Sequence, residues 1–154
     1  MAGAIEKRLQ ELGVTLPDAP APAANYIPAV LSGSTLYVSG QLPFGPDGLA
    51  LKGTLGAGVS IEDANKAAKL CAINILSQAK AVLGDLDRVV RIVKLTGFVA
   101  SAADFGDQPK VINGASDFLV EVLGDKGRHA RSAVGVAALP LNAAVEVEAI
   151  IEVA

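Results

Sequence analysis

The chain has few of the residues from which disulfides, metal centres and covalent active sites are built. It contains one cysteine, one histidine and no tryptophan. A single cysteine cannot form an internal disulfide, and one histidine cannot supply the usual ligands of a structural zinc site. The same scarcity argues against a Ser-His-Asp or Cys-His triad. We therefore expect no bound metal and no covalent hydrolase chemistry.

Positive charge and aromatic rings are also scarce. The chain has four Phe and two Tyr, and its 13 Lys and Arg are outnumbered by 16 Asp and Glu, which gives a net charge of −3. Nucleic-acid-binding proteins use a basic patch and aromatic stacking platforms, and this composition supplies both poorly. The sequence therefore disfavours nucleic acid as the main partner.

Long apolar runs are absent, although the chain is apolar overall. No run reaches the roughly 20 residues that a membrane span needs. Glu6, Lys7 and Arg8 stand where a signal peptide would have its apolar core. We expect no membrane partner and a cytoplasmic location. Because 51% of residues are hydrophobic and only 19% are charged, we also expect subunits to cover part of the surface.

The first 24 residues are predicted to be an N-terminal extension. Apolar residues at helical spacing predict a helix over Ala4–Leu12, and the proline-rich stretch Pro17–Ala24 favours an extended connector. The remaining residues, 25–154, read as a single domain. In that domain the Gly-rich loop Gly53–Gly58 lacks both the dinucleotide-binding spacing and the Walker lysine, so we expect no nucleotide cofactor.

Apolar spacing, caps and turn residues predict the order β-β-α-β-α-β-β for the domain. This order indicates an α+β fold with a mixed sheet, in which both helices can cover one face and the other face must meet something else. The single cysteine, Cys71, falls in the apolar stripe of the first long helix and reads as a buried core residue. The predicted elements are strands Tyr26–Leu31 and Thr35–Gly40, a helix from Ser60 to Leu83, strand Val89–Ala100, a helix over Pro109–Leu123, and strands Arg131–Leu139 and Ala143–Val153.

Charged groups on the last two strands are the candidates for chemistry. Arg131 begins one strand, and Glu146 lies on the strand that returns after a short turn, so their spacing permits an Arg–Glu site. Ala133 and Gly135 share a face with Arg131 and are small enough to leave room for a carboxylate, which a guanidinium binds through two hydrogen bonds. The alternatives are a solvated arginine or a structural salt bridge to Glu146. His129 could titrate near a substrate or be a surface imidazole.

Several short motifs occur in an order and spacing that match a known family. From about Asn25 to the C-terminus, the chain resembles the YjgF-like or Rid (reactive intermediate deaminase) family, also labelled L-PSP endoribonuclease. The motifs are Tyr26 in Asn-Tyr-Ile-Pro-Ala-Val, Val38-Ser39-Gly40-Gln41-Leu42-Pro43, Asn74, Asn113 with Phe118, Ala130-Arg131-Ser132, Leu139-Pro140 and Val145-Glu146-Val147-Glu148-Ala149.

The resemblance implies a chorismate-mutase-like fold assembled as a homotrimer, with three sites in clefts between neighbouring subunits. It implies hydrolysis of small carboxylate-bearing enamine or imine intermediates, such as 2-aminoacrylate, to 2-keto acids and ammonia, with no cofactor. In this interpretation Arg131 binds the substrate carboxylate and Glu146 positions water. The candidates for substrate binding are Tyr26, Ser39, Gly40, Asn113 and His129.

The sequence departs from the family pattern at three positions near these motifs. Pro28 replaces a typical Gln, His129 replaces a Pro, and Ala133 replaces a frequent Cys. An alternative function is therefore a non-catalytic trimer that binds small metabolites in the same clefts. Ribonuclease activity is disfavoured by the acidic charge and the few aromatic residues. The N-terminal extension is expected on the outside of the trimer.

Overall fold

A five-stranded mixed sheet forms the centre of the structure, a computed structural model that describes residues 2–20 and 24–154. The helices are α1 (Ala4–Glu11), α2 (Ile61–Leu83) and α3 (Gln108–Leu123), and the strands are β1 (Ala29–Ser32), β2 (Thr35–Gln41), β3 (Phe44–Gly45), β4 (Gly48–Leu49), β5 (Thr54–Leu55), β6 (Gly58–Val59), β7 (Val89–Ala100), β8 (Ala130–Val136) and β9 (Val145–Val153). The central sheet has the order β1-β2-β9-β7-β8, and only the β7–β8 pair is parallel within it.

The predicted order of strands and helices in the domain is confirmed, with some shifted boundaries. β1 begins at Ala29 instead of Tyr26. Pro28 has no N–H to donate to a ladder, and its carbonyl accepts instead from Ser39 N at 2.8 Å. β8 ends at Val136 instead of Leu139. The predicted Gly-rich loop contains the short strands β5 and β6.

The predicted connector is described only in part. Its residues 17–20 form no regular element, and residues 21–23 lie outside the described residues. The predicted start of the domain near Asn25 stays a prediction. Across residues 2–20 and 24–154, the helices lack the combined length and apolarity that crossing a membrane requires.

The helix α2 is the longest element of the layer that covers the sheet. Ser60 caps it, because its Oγ accepts a hydrogen bond from Asp63 N at 3.1 Å, and Gly84 ends it with a φ of 77°. Cys71 lies on its buried face and its thiol contacts the carbonyl of Val145. Burial, followed by the charge of Glu146, raises the pKa of Cys71 well above its usual value. Cys71 is therefore a core residue, as predicted.

Two glycines allow α3 to lie unusually close to its neighbours. A Cβ atom at Gly97 of β7 would overlap the side chain of Ile112, and a Cβ at Gly114 would overlap the backbone carbonyl of Asn65 on α2. The Asn65 side chain also donates to the carbonyl of Lys110 at 2.9 Å. These contacts fix the height of α3 above the sheet and its position beside α2.

The face of the sheet opposite the helices carries exposed apolar side chains among polar ones. We call it the open face, and the strand registers place Val30, Tyr37, Ile150, Phe98 and Val134 on it. Tyr37 is 49% exposed, Val30 45% and Val134 42%. Nothing else in the described part of the chain covers them, so the prediction that one face of the sheet is left without helices is confirmed.

The helix α1 packs on the layer formed by α2 and α3. The Asp87 carboxylate accepts hydrogen bonds from Ala4 N at 2.9 Å and Ile5 N at 3.0 Å, at the N-terminus of α1. Arg8 donates to the carbonyl of Glu121 on α3 at 3.1 Å, and Leu9 is buried. The extension is thus attached to the side of the fold away from the open face.

Removal of the Asp87 carboxylate should loosen α1. The backbone hydrogen bonds from Ile5 and then Ala4 lower the pKa of Asp87 below its ordinary value. Its stabilising contribution is therefore present above the pKa of an unfolded aspartate and is lost as the pH falls through the folded value. We expect Asp87→Ala to reduce hydrogen-exchange protection of residues 7–12 at neutral pH, and we expect this difference from wild type to vanish in acid.

Hydrogen exchange followed by mass spectrometry checks this prediction. Asp104→Ala, at an exposed position before α3, is the matched control and should leave protection of α1 unchanged. Equal protection in Asp87→Ala and wild type at neutral pH would contradict the assigned role of Asp87.

Candidate active site

Arg131 lies on the edge strand β8 and contacts α3. Its Nη1 donates hydrogen bonds to Asn113 Oδ1 at 2.8 Å and to Ser116 Oγ at 3.2 Å. Both acceptors are neutral, so they orient the guanidinium without cancelling its charge. Among the residues that the structure describes, no carboxylate forms an ion pair with Arg131. We call Arg131, Asn113, Ser116 and His129 the arginine half-site.

Strand register and helix spacing explain why these residues meet. Arg131 pairs with Leu95 of β7 and shares its direction toward the helices, since paired residues on neighbouring strands point to the same face. Asn113 and Ser116 are three residues apart on α3 and so lie on one side of the helix. Arg131 and Asn113 were both predicted site residues, and the structure brings them together.

Ser116 was missed in the sequence. It links Arg131 to His129, because its Oγ lies 2.9 Å from His129 Nε2. The spacing of Asn113 and Ser116 along one helical turn was a usable signal, but serine is too common for spacing alone to single it out. His129 is half-buried, and its Nδ1 lies 2.5 Å from the carbonyl oxygen of Gly127. His129 is therefore partly exposed and hydrogen-bonded through both ring nitrogens, which differs from a freely solvated surface imidazole.

Glu146 lies on the open face, beside β2. It pairs with Phe98 of β7, which places it on the face opposite Leu95 and Arg131. A Cβ atom at Gly40 would overlap Glu146 Oε1, so only glycine leaves space for this carboxylate against β2. Burial raises the pKa of Glu146, and the nearby charge of Glu148 raises it further. We call Ser39, Gly40 and Glu146 the glutamate half-site.

The two half-sites lie on opposite faces of the sheet of one chain. The predicted Arg–Glu site therefore does not form within a single chain, and a salt bridge from Arg131 to Glu146 is excluded within one chain for the same reason. The sequence spacing was misleading because β8 and β9 are not neighbours. The strand β7 lies between them, and its alternating side chains separate Arg131 from Glu146.

The predicted space beside Arg131 is partly filled. A Cβ atom at Gly135 would lie 2.7 Å from Gln108 Nε2, which also donates to Ser101 Oγ at 3.3 Å. Ala133 is half-buried against the core. Gly135 therefore accommodates a side chain from the start of α3, and the expected room for a ligand at this position is corrected.

Tyr26 is an exposed residue outside the strands of the central sheet. It precedes β1 and is 58% exposed. The neighbouring Pro28 lines a shallow depression of about 260 Å³ on the open face, together with Tyr37, Ser39 and Glu148. Tyr26 and Ser39 were predicted to line one cleft, and the structure places only Ser39 in contact with this depression. Within the described ranges, no group of three or more His, Cys, Asp or Glu residues could hold a metal ion.

Comparisons with known proteins extend over nearly the whole chain. A family model described as YjgF/chorismate mutase-like, with an endoribonuclease label, matches residues 6–153. Protein TCP17 of Trypanosoma cruzi is 51% identical over 152 residues, which are 98% of this chain and 95% of TCP17.

Solved structures agree with this result. Atu1372 of Agrobacterium tumefaciens, a protein of unknown function, is 54% identical with a TM-score of 0.92, and the match covers 98% of this chain and 93% of that one. RidA of an Antarctic Psychrobacter is 31% identical with a TM-score of 0.58, over 88% of this chain and 94% of that one. The resemblance found in the sequence is confirmed, and the chain belongs to the YjgF/chorismate mutase-like family.

Proposed function

We propose that this protein is a cytoplasmic enamine/imine deaminase that hydrolyses small carboxylate-bearing substrates, such as 2-aminoacrylate in its imine form, to 2-keto acids and ammonia. The observation that most supports this proposal is the set of groups around the Arg131 side chain. Its guanidinium is oriented by the neutral acceptors Asn113 and Ser116 and has no carboxylate partner among the described residues. A guanidinium prepared in this way suits a bidentate carboxylate ligand.

The proposed chemistry needs few groups, because an imine carbon is already electrophilic. Water adds to that carbon, and the resulting carbinolamine loses ammonia to give the keto acid, so atoms balance without oxidation or reduction. Arg131 holds the carboxylate, and Glu146 accepts a hydrogen bond from the attacking water and orients it. The raised pKa of Glu146 makes its carboxylate a better proton acceptor than an ordinary glutamate.

The proposed site is completed between subunits of a homotrimer. Two observations support this assembly. The open face leaves Val30, Tyr37 and Val134 substantially exposed, as expected of a surface that another subunit covers. In addition, Arg131 and Glu146 point to opposite faces of the sheet in one chain. A cleft that contains both residues therefore requires two copies of the chain.

Loss of the Arg131 guanidinium should abolish most of the proposed activity. Hydrogen bonds to a charged group contribute about 1.5–3 kcal/mol, so Arg131→Ala should lower kcat/KM about 10- to 100-fold. Imino acids are generated by an amino-acid dehydratase or oxidase, and release of the keto acid is followed. Arg128→Ala is the matched control, since the Arg128 side chain is exposed and forms an ion pair with Asp125 at 3.5 Å.

The outcomes separate the two candidate functions. Wild type that fails to accelerate keto-acid release from several imino acids would rule out the deaminase. Carboxylate binding that is lost in Arg131→Ala would then favour the non-catalytic metabolite-binding trimer. Equal activity of Arg131→Ala and Arg128→Ala would contradict the assigned role of Arg131.

A charge on the open face should dissociate the proposed trimer. Val134→Glu would bury a carboxylate against a neighbouring subunit, which is costly without a partner charge. Val82→Glu is the matched control, because Val82 is 41% exposed on α2, on the helical layer. Light scattering should give three times the chain mass of 15.6 kDa for wild type and Val82→Glu, and a smaller mass for Val134→Glu. A monomeric wild type would overturn the assembly.

An assembly that contains two different variants should test whether one cleft takes Arg131 from one chain and Glu146 from another. Arg131→Ala and Glu146→Gln are each expected to retain only a small part of the wild-type activity when assembled alone. When they are unfolded together and refolded, some clefts would combine an intact Arg131 with an intact Glu146 from different subunits, and part of the activity should return. If no activity returns although mixed assemblies are detected by mass spectrometry, the site does not lie between subunits.

A further inference from the structure

A continuous chain of hydrogen bonds leads from the backbone to the Arg131 guanidinium. The carbonyl oxygen of Gly127 lies 2.5 Å from His129 Nδ1, and His129 Nε2 lies 2.9 Å from Ser116 Oγ. Ser116 Oγ in turn accepts from Arg131 Nη1 at 3.2 Å. His129 and Arg131 lie two residues apart, so both side chains point toward α3.

The chemistry of each partner assigns the hydrogens along this chain. A carbonyl oxygen can only accept, so the hydrogen between Gly127 and His129 belongs to Nδ1. In a neutral imidazole the other nitrogen, Nε2, is then an acceptor. The Ser116 hydroxyl must therefore donate to His129, which leaves an oxygen lone pair free to accept from Arg131.

The surroundings of His129 favour the neutral ring. Burial lowers the pKa of His129, and the charge of Arg131 lowers it further, although the hydrogen bond to Gly127 acts in the opposite direction. Arg131 on β8 is the charged group that acts on the ring. The other contacts, Ser116 on α3 and the Gly127 carbonyl, are uncharged.

We propose that His129 and Ser116 are positioning residues, which hold Arg131 in the orientation that binds a substrate carboxylate. This inference rests on the proposed function in taking Arg131 as the carboxylate-binding group. It changes the role of His129, which contacts Ser116 and Gly127 instead of substrate. With Nη1 held by Asn113 and Ser116, the plane of the guanidinium is set and its remaining N–H groups are available for two parallel hydrogen bonds.

The tautomer of His129 is the first readout, and it does not depend on activity. The chain contains one histidine, so an untagged protein labelled with ¹⁵N-histidine gives the signals of His129 alone. At neutral pH we expect a hydrogen on Nδ1 and none on Nε2. Ser116→Ala should move the Nε2 resonance, because it removes the hydroxyl donor. A hydrogen found on Nε2 would overturn the proposed chain.

Carboxylate affinity is the second readout, with pyruvate as the probe. The lost hydrogen bonds act on the ligand only through the orientation of Arg131, so Ser116→Ala and His129→Phe should each weaken pyruvate binding about two- to tenfold, less than the loss of the guanidinium itself. Ser116→Thr keeps the hydroxyl and should restore affinity. Ser34→Ala, in the exposed turn between β1 and β2, is the matched control. If imine hydrolysis is observed, KM should rise while kcat changes little.

These measurements separate this inference from the proposed function. If Arg131→Ala abolishes pyruvate binding but Ser116→Ala and His129→Phe bind as tightly as wild type, the positioning role is overturned and the proposed function stands. If Arg131→Ala binds pyruvate as wild type does, both are overturned. Thermal unfolding of each variant accompanies the titrations, and should Ser116→Ala not fold, His129→Phe and the wild-type tautomer decide the question.

Discussion

The close packing of α3 is the constraint on which the arginine half-site depends. The missing Cβ atoms of Gly97 and Gly114 let this helix approach the sheet at Ile112 and the backbone of α2 at Asn65. With α3 held at this height, Asn113 and Ser116 come within hydrogen-bond distance of the guanidinium on β8. A side chain at either glycine would push α3 away from its neighbours. Such a shift would lengthen the hydrogen bonds from Arg131 to Asn113 and Ser116 and so weaken them.

The alternation of side chains along β7 also determines where the candidate site residues lie. From Lys94 to Val99, odd positions point to the helix-covered face and even positions to the open face, and the paired residues of β8 and β9 follow the same separation. Arg131 therefore joins the helical layer, whereas Glu146 lies against Gly40 on the open face. The exposed apolar side chains and the glutamate half-site thus lie on the same face of the sheet, whereas the arginine half-site lies on the other. An assembly of identical chains would bury the exposed apolar side chains and would let the glutamate half-site of one chain meet the arginine half-site of another.

Much of the fold could be predicted because local signals agreed with the final structure. The cap at Ser60, the stop at Gly84 and the apolar stripe between them identified α2 to within a residue. The errors occurred where contacts between residues far apart in the sequence determined the structure. β1 starts late because Pro28 has no N–H to donate to the paired strand β2, and Gln108 from a different element occupies the space beside Gly135. Sequence periodicity contains no information about such contacts.

By itself, the sequence determined the order of strands and helices, the family, and the residue types that suit carboxylate binding, since these depend on spacing and composition along the chain. Only the tertiary structure decided which of them meet. It joined Ser116 and His129 to Arg131 and separated Arg131 from Glu146, because strand order and register, not distance in sequence, determine the face on which a side chain lies.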